Sequence, residues 1–279
     1  MTTTLQPTDH FVEVNGLNIH YIDWGGSSNR TLLLAHGQGG NAHNWDHIAR
    51  ELHDEFRVIA LDQRGHGDSD HTREGYAVKD FAADLAEFAE AIGIIPYDYC
   101  GASLGARNGI PYAGDHSDHL KRFVCLDYGP EMSVASAQSQ IGGMNRRLLG
   151  WRSIDEFVEN GRKQNPRAKE EHLRNSAEHG LRLNYAGKYV PKQDPDMFWI
   201  NGGFGVREVP YLWEQWAKIR CPVLEMKGAE SNFLSPEIQE RMKESQPGMQ
   251  LVEVPESGHG ISGDNPDFLV QELRRFLVD

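Results

Sequence analysis

Two short runs, Thr31-Leu32-Leu33-Leu34-Ala35 and Arg57-Val58-Ile59-Ala60-Leu61, are apolar at nearly every position instead of every second one. A strand with one wet face alternates. A strand that is apolar throughout is covered on both faces, and that belongs to parallel sheets whose crossovers are helices. The segment between the runs, Trp45 to Leu52, reads as such a helix, giving a strand-helix-strand unit. Phe123-Val124-Cys125-Leu126, Val223-Leu224-Glu225-Met226 and Leu251-Val252-Glu253-Val254 supply three later strands. Phe81, Leu85, Phe88 and Ile92 recur at three and four residues and mark an amphipathic helix. Asn265 to Leu277 reads as a closing helix, with Asn265 as N-cap and Pro266 in its first turn. The chain opens differently: Phe11 to Val14 and Leu17 to Asp23 flank Asn15-Gly16, a dipeptide suited to the positive φ angles of a tight antiparallel hairpin.

Gly101-Ala102-Ser103-Leu104-Gly105 lies between the strand-like Tyr97-Asp98-Tyr99-Cys100 and a helix-like stretch from Leu104 to Ala113. The five-residue pattern is weak by itself, and its flanks give it meaning. A sharp strand-to-helix turn pushes the serine Oγ into the open, and the positions two before and two after must be nearly free of side chain. To attack a carbonyl, that hydroxyl also needs a base for its proton and donors for the oxyanion.

From Pro130 to Arg220 strand signals nearly vanish, and the sequence turns helical, charged and aromatic, with Trp151, Trp199, Phe204, Tyr211, Trp213 and Trp216. We expect residues 1–129 and 221–279 to form one core domain, with 130–220 an insertion. Its rings either pack a small subdomain or line a substrate pocket. Trp151, Trp199, Phe204 and Trp213 are the candidates for the second role.

In this order the strands, the elbow and the insertion resemble the α/β-hydrolase fold superfamily with a helical cap, over nearly the whole chain. Four motifs carry the likeness: His36-Gly37-Gln38-Gly39-Gly40, Asp62-Gln63-Arg64-Gly65-His66-Gly67-Asp68-Ser69, the Ser103 elbow and Gly258-His259-Gly260. The resemblance implies an α/β class: a mostly parallel eight-stranded sheet, helices on both faces and an inserted helical cap. It implies an oxyanion hole made by the main-chain N–H groups of Gln38 and Leu104. It makes His36 a support for its loop, and Asp62 to Ser69 a loop beside the site with Arg64 in a structural ion pair.

Of thirteen histidines, His259 follows the last strand between two glycines, where a loop can carry its ring to the serine; it is the expected base. In many relatives the acid comes three positions after a glycine at the end of the strand here read as Val223-Leu224-Glu225-Met226. Gly228-Ala229-Glu230-Ser231 puts Ser231 in that slot, and Glu230 is one residue off. Asp127 leaves the strand Phe123 to Leu126 on the same edge as Ser103, and some families keep the acid there. We favour Asp127 over Glu230; its alternative role is a turn-forming aspartate before Gly129-Pro130.

The expected activity is hydrolysis of a small carboxylic ester or lactone through an acyl-enzyme, with a Ser103-His259-Asp127 triad. Arg107, Arg146 and Arg147 are available to hold a substrate carboxylate, although most arginines are solvated on the surface. Amide or carbon-carbon cleavage uses the same groups. The superfamily also contains cofactor-free oxygenases and non-catalytic ligand receptors, and both remain open for this chain. An aspartate at the elbow would be expected of a dehalogenase or epoxide hydrolase, and Ser103 argues against both. With 41 acidic and 28 basic residues the net charge is -13, which disfavours nucleic acid and anionic membranes as partners. No metal or cofactor is expected. Cys100, Cys125 and Cys221 are odd in number and lie in or beside apolar runs, which suits free thiols in a reducing compartment. Met1 to His10 lacks the features of a signal peptide, so a cytoplasmic location is expected.

Overall fold

The structure, a computed structural model, describes residues 5–73, 75–136, 149–197 and 205–278. Trp199, Phe204, Arg146 and Arg147 lie outside the described residues. The strands are β1 (Thr8–Val14), β2 (Leu17–Asp23), β3 (Thr31–Ala35), β4 (Arg57–Leu61), β5 (Tyr97–Ala102), β6 (Leu120–Leu126), β7 (Leu181–Leu183), β8 (Tyr189–Pro191), β9 (Val223–Gly228) and β10 (Gln250–Val254). The helices are α1 (Asp46–Leu52), α2 (Val78–Ala91), α3 (Leu104–Asp115), α4 (Ile154–Gln164), α5 (Glu170–Gly180), α6 (Gly205–Lys218), α7 (Pro236–Ser245), α8 (Ile261–Asp264) and α9 (Pro266–Val278).

Eight strands form one sheet in the order β1-β2-β4-β3-β5-β6-β9-β10. The β1–β2 and β2–β4 pairs are antiparallel and the other five are parallel. Asn15 and Gly16 close the β1–β2 hairpin with φ of 50° and 74°, as the dipeptide requires. The apolar runs are covered on both sides. Leu33 and Ala35 of β3 pack with Phe88, Ile110 and Trp216 on one face, while Leu32 and Leu34 pack with Trp24, Trp45 and Phe276 on the other. Truncating one of these buried leucines to alanine costs about 2–5 kcal/mol. Asn265 caps α9 by accepting from Phe268 N–H at 3.3 Å.

The segment between β6 and β9 divides in a way the sequence does not announce. Helix α6 falls in the stretch read as insertion, yet it packs along α3, and its Leu212, Trp213 and Trp216 join the core under the sheet. A Cβ on Gly114 of α3 would lie 2.6 Å from the Gln215 carbonyl, so the two helices touch backbone to backbone. Among the described residues of this segment, helices α4 and α5 and the β7–β8 hairpin make up most of the remainder. Trp151 bridges to Tyr189 and sets its ring edge-on to Phe157 at 4.8 Å. This part meets the core along α5. Asn175 Nδ2 donates to the His43 carbonyl (2.8 Å) and to Asp46 Oδ2 (3.0 Å). His179 stacks on His43 at 3.5 Å, and His172 meets His47 edge-on at 5.4 Å. Among the described residues no helix is long and apolar enough to cross a membrane, and Cys100, Cys125 and Cys221 are free.

Candidate active site

The carboxyl ends of β3, β5, β6, β9 and β10 deliver the side chains and main chain that meet around Ser103. Ser103 is the N-cap of α3 with φ 49° and ψ −107°, a conformation an L residue adopts only when its surroundings impose it. The impositions are visible. A Cβ on Gly101 would lie 2.5 Å from Ala106 N, and one on Gly105 would lie 2.3 Å from the Ala35 carbonyl oxygen. The Ser103 N–H donates to the Leu126 carbonyl at 3.0 Å, tying the bend to β6.

His259, on the loop after β10, has its Nε2 2.9 Å from Ser103 Oγ and its Nδ1 2.7 Å from Asp127 Oδ2. The Phe233 ring stacks on the imidazole, 3.4 Å away and within 8° of parallel. Asp127 is fully buried with φ 54°, and its Oδ1 accepts from Gly228 N–H at 3.2 Å. Ser231 Oγ donates to Asp127 Oδ2, the same oxygen that faces His259. A carboxylate on Nδ1 makes that nitrogen the donor, which leaves Nε2 as acceptor for the serine O–H. Glu230 lies elsewhere: its half-exposed carboxylate pairs with Arg167. Ser231 therefore touches the Asp127 carboxylate without supplying one itself.

The loop after β3 flanks the serine. A Cβ on Gly37 would lie 3.3 Å from Ser103 Cβ and 4.0 Å from its Oγ. Leu104 opens α3, so its N–H has no acceptor within the helix. His36 is buried; its Nδ1 is 2.7 Å from the Gly37 carbonyl, and its Nε2 accepts from Gln63 N–H at 3.1 Å. Burial holds its pKa below the usual histidine value despite nearby Asp62, so the ring is neutral. Arg64 pairs with Asp84 as a buried ion pair.

Arg107 corrects an expectation. It is buried, not solvated, and its guanidinium is taken up by Glu208, Tyr128 and Asn108, which leaves it bound inside the protein and not offered to a ligand. Trp213 is likewise packed in the core, its Nε1 donating to Glu131 at 3.0 Å and its ring carrying the Arg241 guanidinium at 3.9 Å. Trp151 sits in the β7–β8 hairpin contacts. One group escaped sequence reasoning. Glu225 is wholly buried on β9, and burial, then the nearby Asp127, push its carboxyl well above the usual range. The available signal was a glutamate inside an otherwise apolar strand.

Among the described residues one group, His20, Asp62 and Asp68, brings potential metal ligands within 4.8 Å of one another. Asp62 is already engaged by His20 Nδ1 (2.7 Å), Ala42 N–H (2.6 Å) and Asp68 N–H (2.9 Å). Burial alone would raise its pKa; the bond to His20, the neighbouring His36 and the Asp68 N–H bring it below the ordinary value. The cluster is an internal brace of the loop that follows β4.

A family model described as the alpha/beta hydrolase fold matches residues 30–266. The chain belongs to this family. Within it, the chain is 24% identical over 277 residues to the 2-(acetamidomethylene)succinate hydrolase of Mesorhizobium japonicum, covering 97% of this chain and 96% of that protein. It is 27% identical over 257 residues to the 3-hydroxybutyrate-oligomer hydrolase of Cupriavidus necator, covering 86% of each. A crystal structure of E-2-(acetamidomethylene)succinate hydrolase superposes with a TM-score of 0.90 at 22% identity, over 98% of this chain and 100% of that one. This α/β-hydrolase fold protein thus has relatives named as hydrolases along its whole length.

Proposed function

We propose that the protein is a serine hydrolase that cleaves a small carboxylic ester or lactone through an acyl-enzyme. The observation that carries this reading is the imidazole of His259 hydrogen-bonded at once to Ser103 Oγ and Asp127 Oδ2. Oγ attacks the substrate carbonyl while Nε2 takes its proton, and Asp127 steadies the imidazolium. The carbonyl oxygen, now an oxyanion, is met by the N–H groups of Gln38 and Leu104. Nε2 returns the proton to the departing alkoxide as the carbon-oxygen bond breaks. Water then repeats the sequence on the acyl-enzyme: Nε2 takes its proton, hydroxide adds, and Ser103 leaves carrying the proton back. The products are the acid and the alcohol, joined as one hydroxy acid when the substrate is a lactone.

The names of the two long-range relatives support a small-molecule acyl substrate. A second reading, cleavage of an amide, is favoured by the acetamido group in the name of the relative that spans nearly the whole chain. The test has two parts. A fluorophosphonate should label the wild-type chain at one site and fail on Ser103→Ala. A panel of short-chain esters, aryl esters, lactones and matched N-alkyl amides should show turnover that Ser103→Ala abolishes. A folded wild-type chain that neither labels nor turns over any member refutes the enzyme reading and leaves a ligand receptor.

A further inference from the structure

We propose that Gln63 and Asn108 are positioning residues of the oxyanion hole, a buried amide pair that fixes the Gln38 N–H relative to the Leu104 N–H. This rests on the reading of Ser103 as a hydrolase nucleophile served by those two donors.

The pair lies on a continuous hydrogen-bonded path. Asn108 Nδ2 donates to Gln63 Oε1 at 2.8 Å. Gln63 Nε2 donates to the His36 carbonyl at 2.7 Å, and Gln63 N–H donates to His36 Nε2 at 3.1 Å. With Nε2 occupied as an acceptor, the ring proton sits on Nδ1 and goes to the Gly37 carbonyl at 2.7 Å. That carbonyl, which also accepts from Gly40 N–H at 3.0 Å, belongs to the same peptide plane as the Gln38 N–H. In a planar trans peptide the two point in opposite directions, so holding the oxygen aims the hydrogen.

The other end of the path is as rigid. Asn108 stands four residues after Leu104, one turn along α3, and its Oδ1 accepts from Arg107 Nη1 at 3.2 Å. The pair thereby spans the gap between the helix that supplies one oxyanion donor and the loop that supplies the other. Asn108 is fully buried and Gln63 is 3% exposed. Apolar side chains of the same volume would fill this space at lower desolvation cost, so the polar pair contributes geometry more than stability. It carries no titratable proton, and its action does not change with pH.

The experiment uses the full chain, the best substrate of the ester panel, and an aryl boronate as an analogue of the tetrahedral intermediate. Asn108→Asp keeps the shape but cannot donate to Gln63 Oε1. The double variant Gln63→Leu/Asn108→Leu removes the two amides together, so that neither is left facing an unpaired partner in the other. Each is expected to lower kcat about 10–100-fold, below the loss for a whole oxyanion donor. KM should change less than about threefold, and boronate affinity should weaken in proportion to kcat, because only the transition state uses the donors. For the double variant, which adds no charge, the acid limb of the kcat/KM profile should not move. A folded variant whose kcat and boronate affinity both match wild type overturns the proposal. Ser103→Ala run in parallel separates the two readings: if it still turns over substrate, the nucleophile assignment falls. If it is inert while the amide variants are normal, only the positioning role falls.

Discussion

The loop after β3 and the loop after β10 each bring a histidine beside glycine to the same edge of the sheet, yet the two rings are held differently. His36 is buried with both nitrogens bonded to main chain, a carbonyl on one side and an N–H on the other. His259 is about a third exposed at its side chain, with a carboxylate on one nitrogen and a hydroxyl on the other. Burial disfavours charging the His36 ring although Asp62 lies nearby, whereas a carboxylate in direct contact stabilises the cation that forms when a proton arrives. The partners, more than the residue type or its glycine neighbours, separate a scaffold histidine from a candidate base.

Asp127→Asn removes that distinction, leaving His259 facing an amide much as His36 faces a peptide. The expected result is a fall in kcat of about 10⁴-fold with the fold intact, read by steady-state kinetics beside circular dichroism. A loss under tenfold would mean that the carboxylate is not what makes His259 different.

The seam between α5 and the core extends the contrast to histidines that face one another. His47 has its pKa pulled down to about 4 by burial and then by His172, with Lys169 adding to this and Asp46 and the Ser262 main chain opposing it. His172 is lowered by burial against Asp264, Asp46 and Glu171, and His179 by burial and His43, with Lys192 alongside and Asp46 and Glu178 opposing. Because the folded pKa of His47 lies below the unfolded 6.5, the unfolded chain binds the extra proton first. Stability should be whole above pH 6.5 and decline down to about pH 4, by about 3 kcal/mol at most from His47. Urea midpoints measured across that window should fall more steeply for wild type than for His47→Gln. Parallel slopes would mean that the seam does not set the acid sensitivity of the fold.

Ser231→Ala takes away one of the donors to Asp127 and should cost up to about tenfold in kcat, the low end of what a single hydrogen bond to a charged group is worth. Glu230→Gln, at the neighbouring position, should stay within about twofold, since it loses only an exposed pair with Arg167. Equal losses in these two variants would erase the separation between the positions.

Much of this was legible in the chain because it depends on local rules. The two-sided apolar runs mark the parallel strands, Asn15-Gly16 marks the hairpin, and glycines two residues either side of Ser103 mark a bend that leaves no room for Cβ atoms. What escaped depends on partners distant in sequence. An amphipathic helix with Trp213 and Trp216 reads the same whether it covers a pocket or a sheet, and only packing on α3 assigns α6 to the core. Arg107 looks like a surface cation until Glu208 and Tyr128 meet it. The β7–β8 pair has three residues per strand, too few for alternation to register.

Ser231 and Asp127 leave different strands and converge on one point beside the imidazole. Two neighbouring strand tips thus meet at one carboxylate oxygen, the one that faces the imidazole. Substitutions at the two positions should therefore not be additive, because both act on that one oxygen.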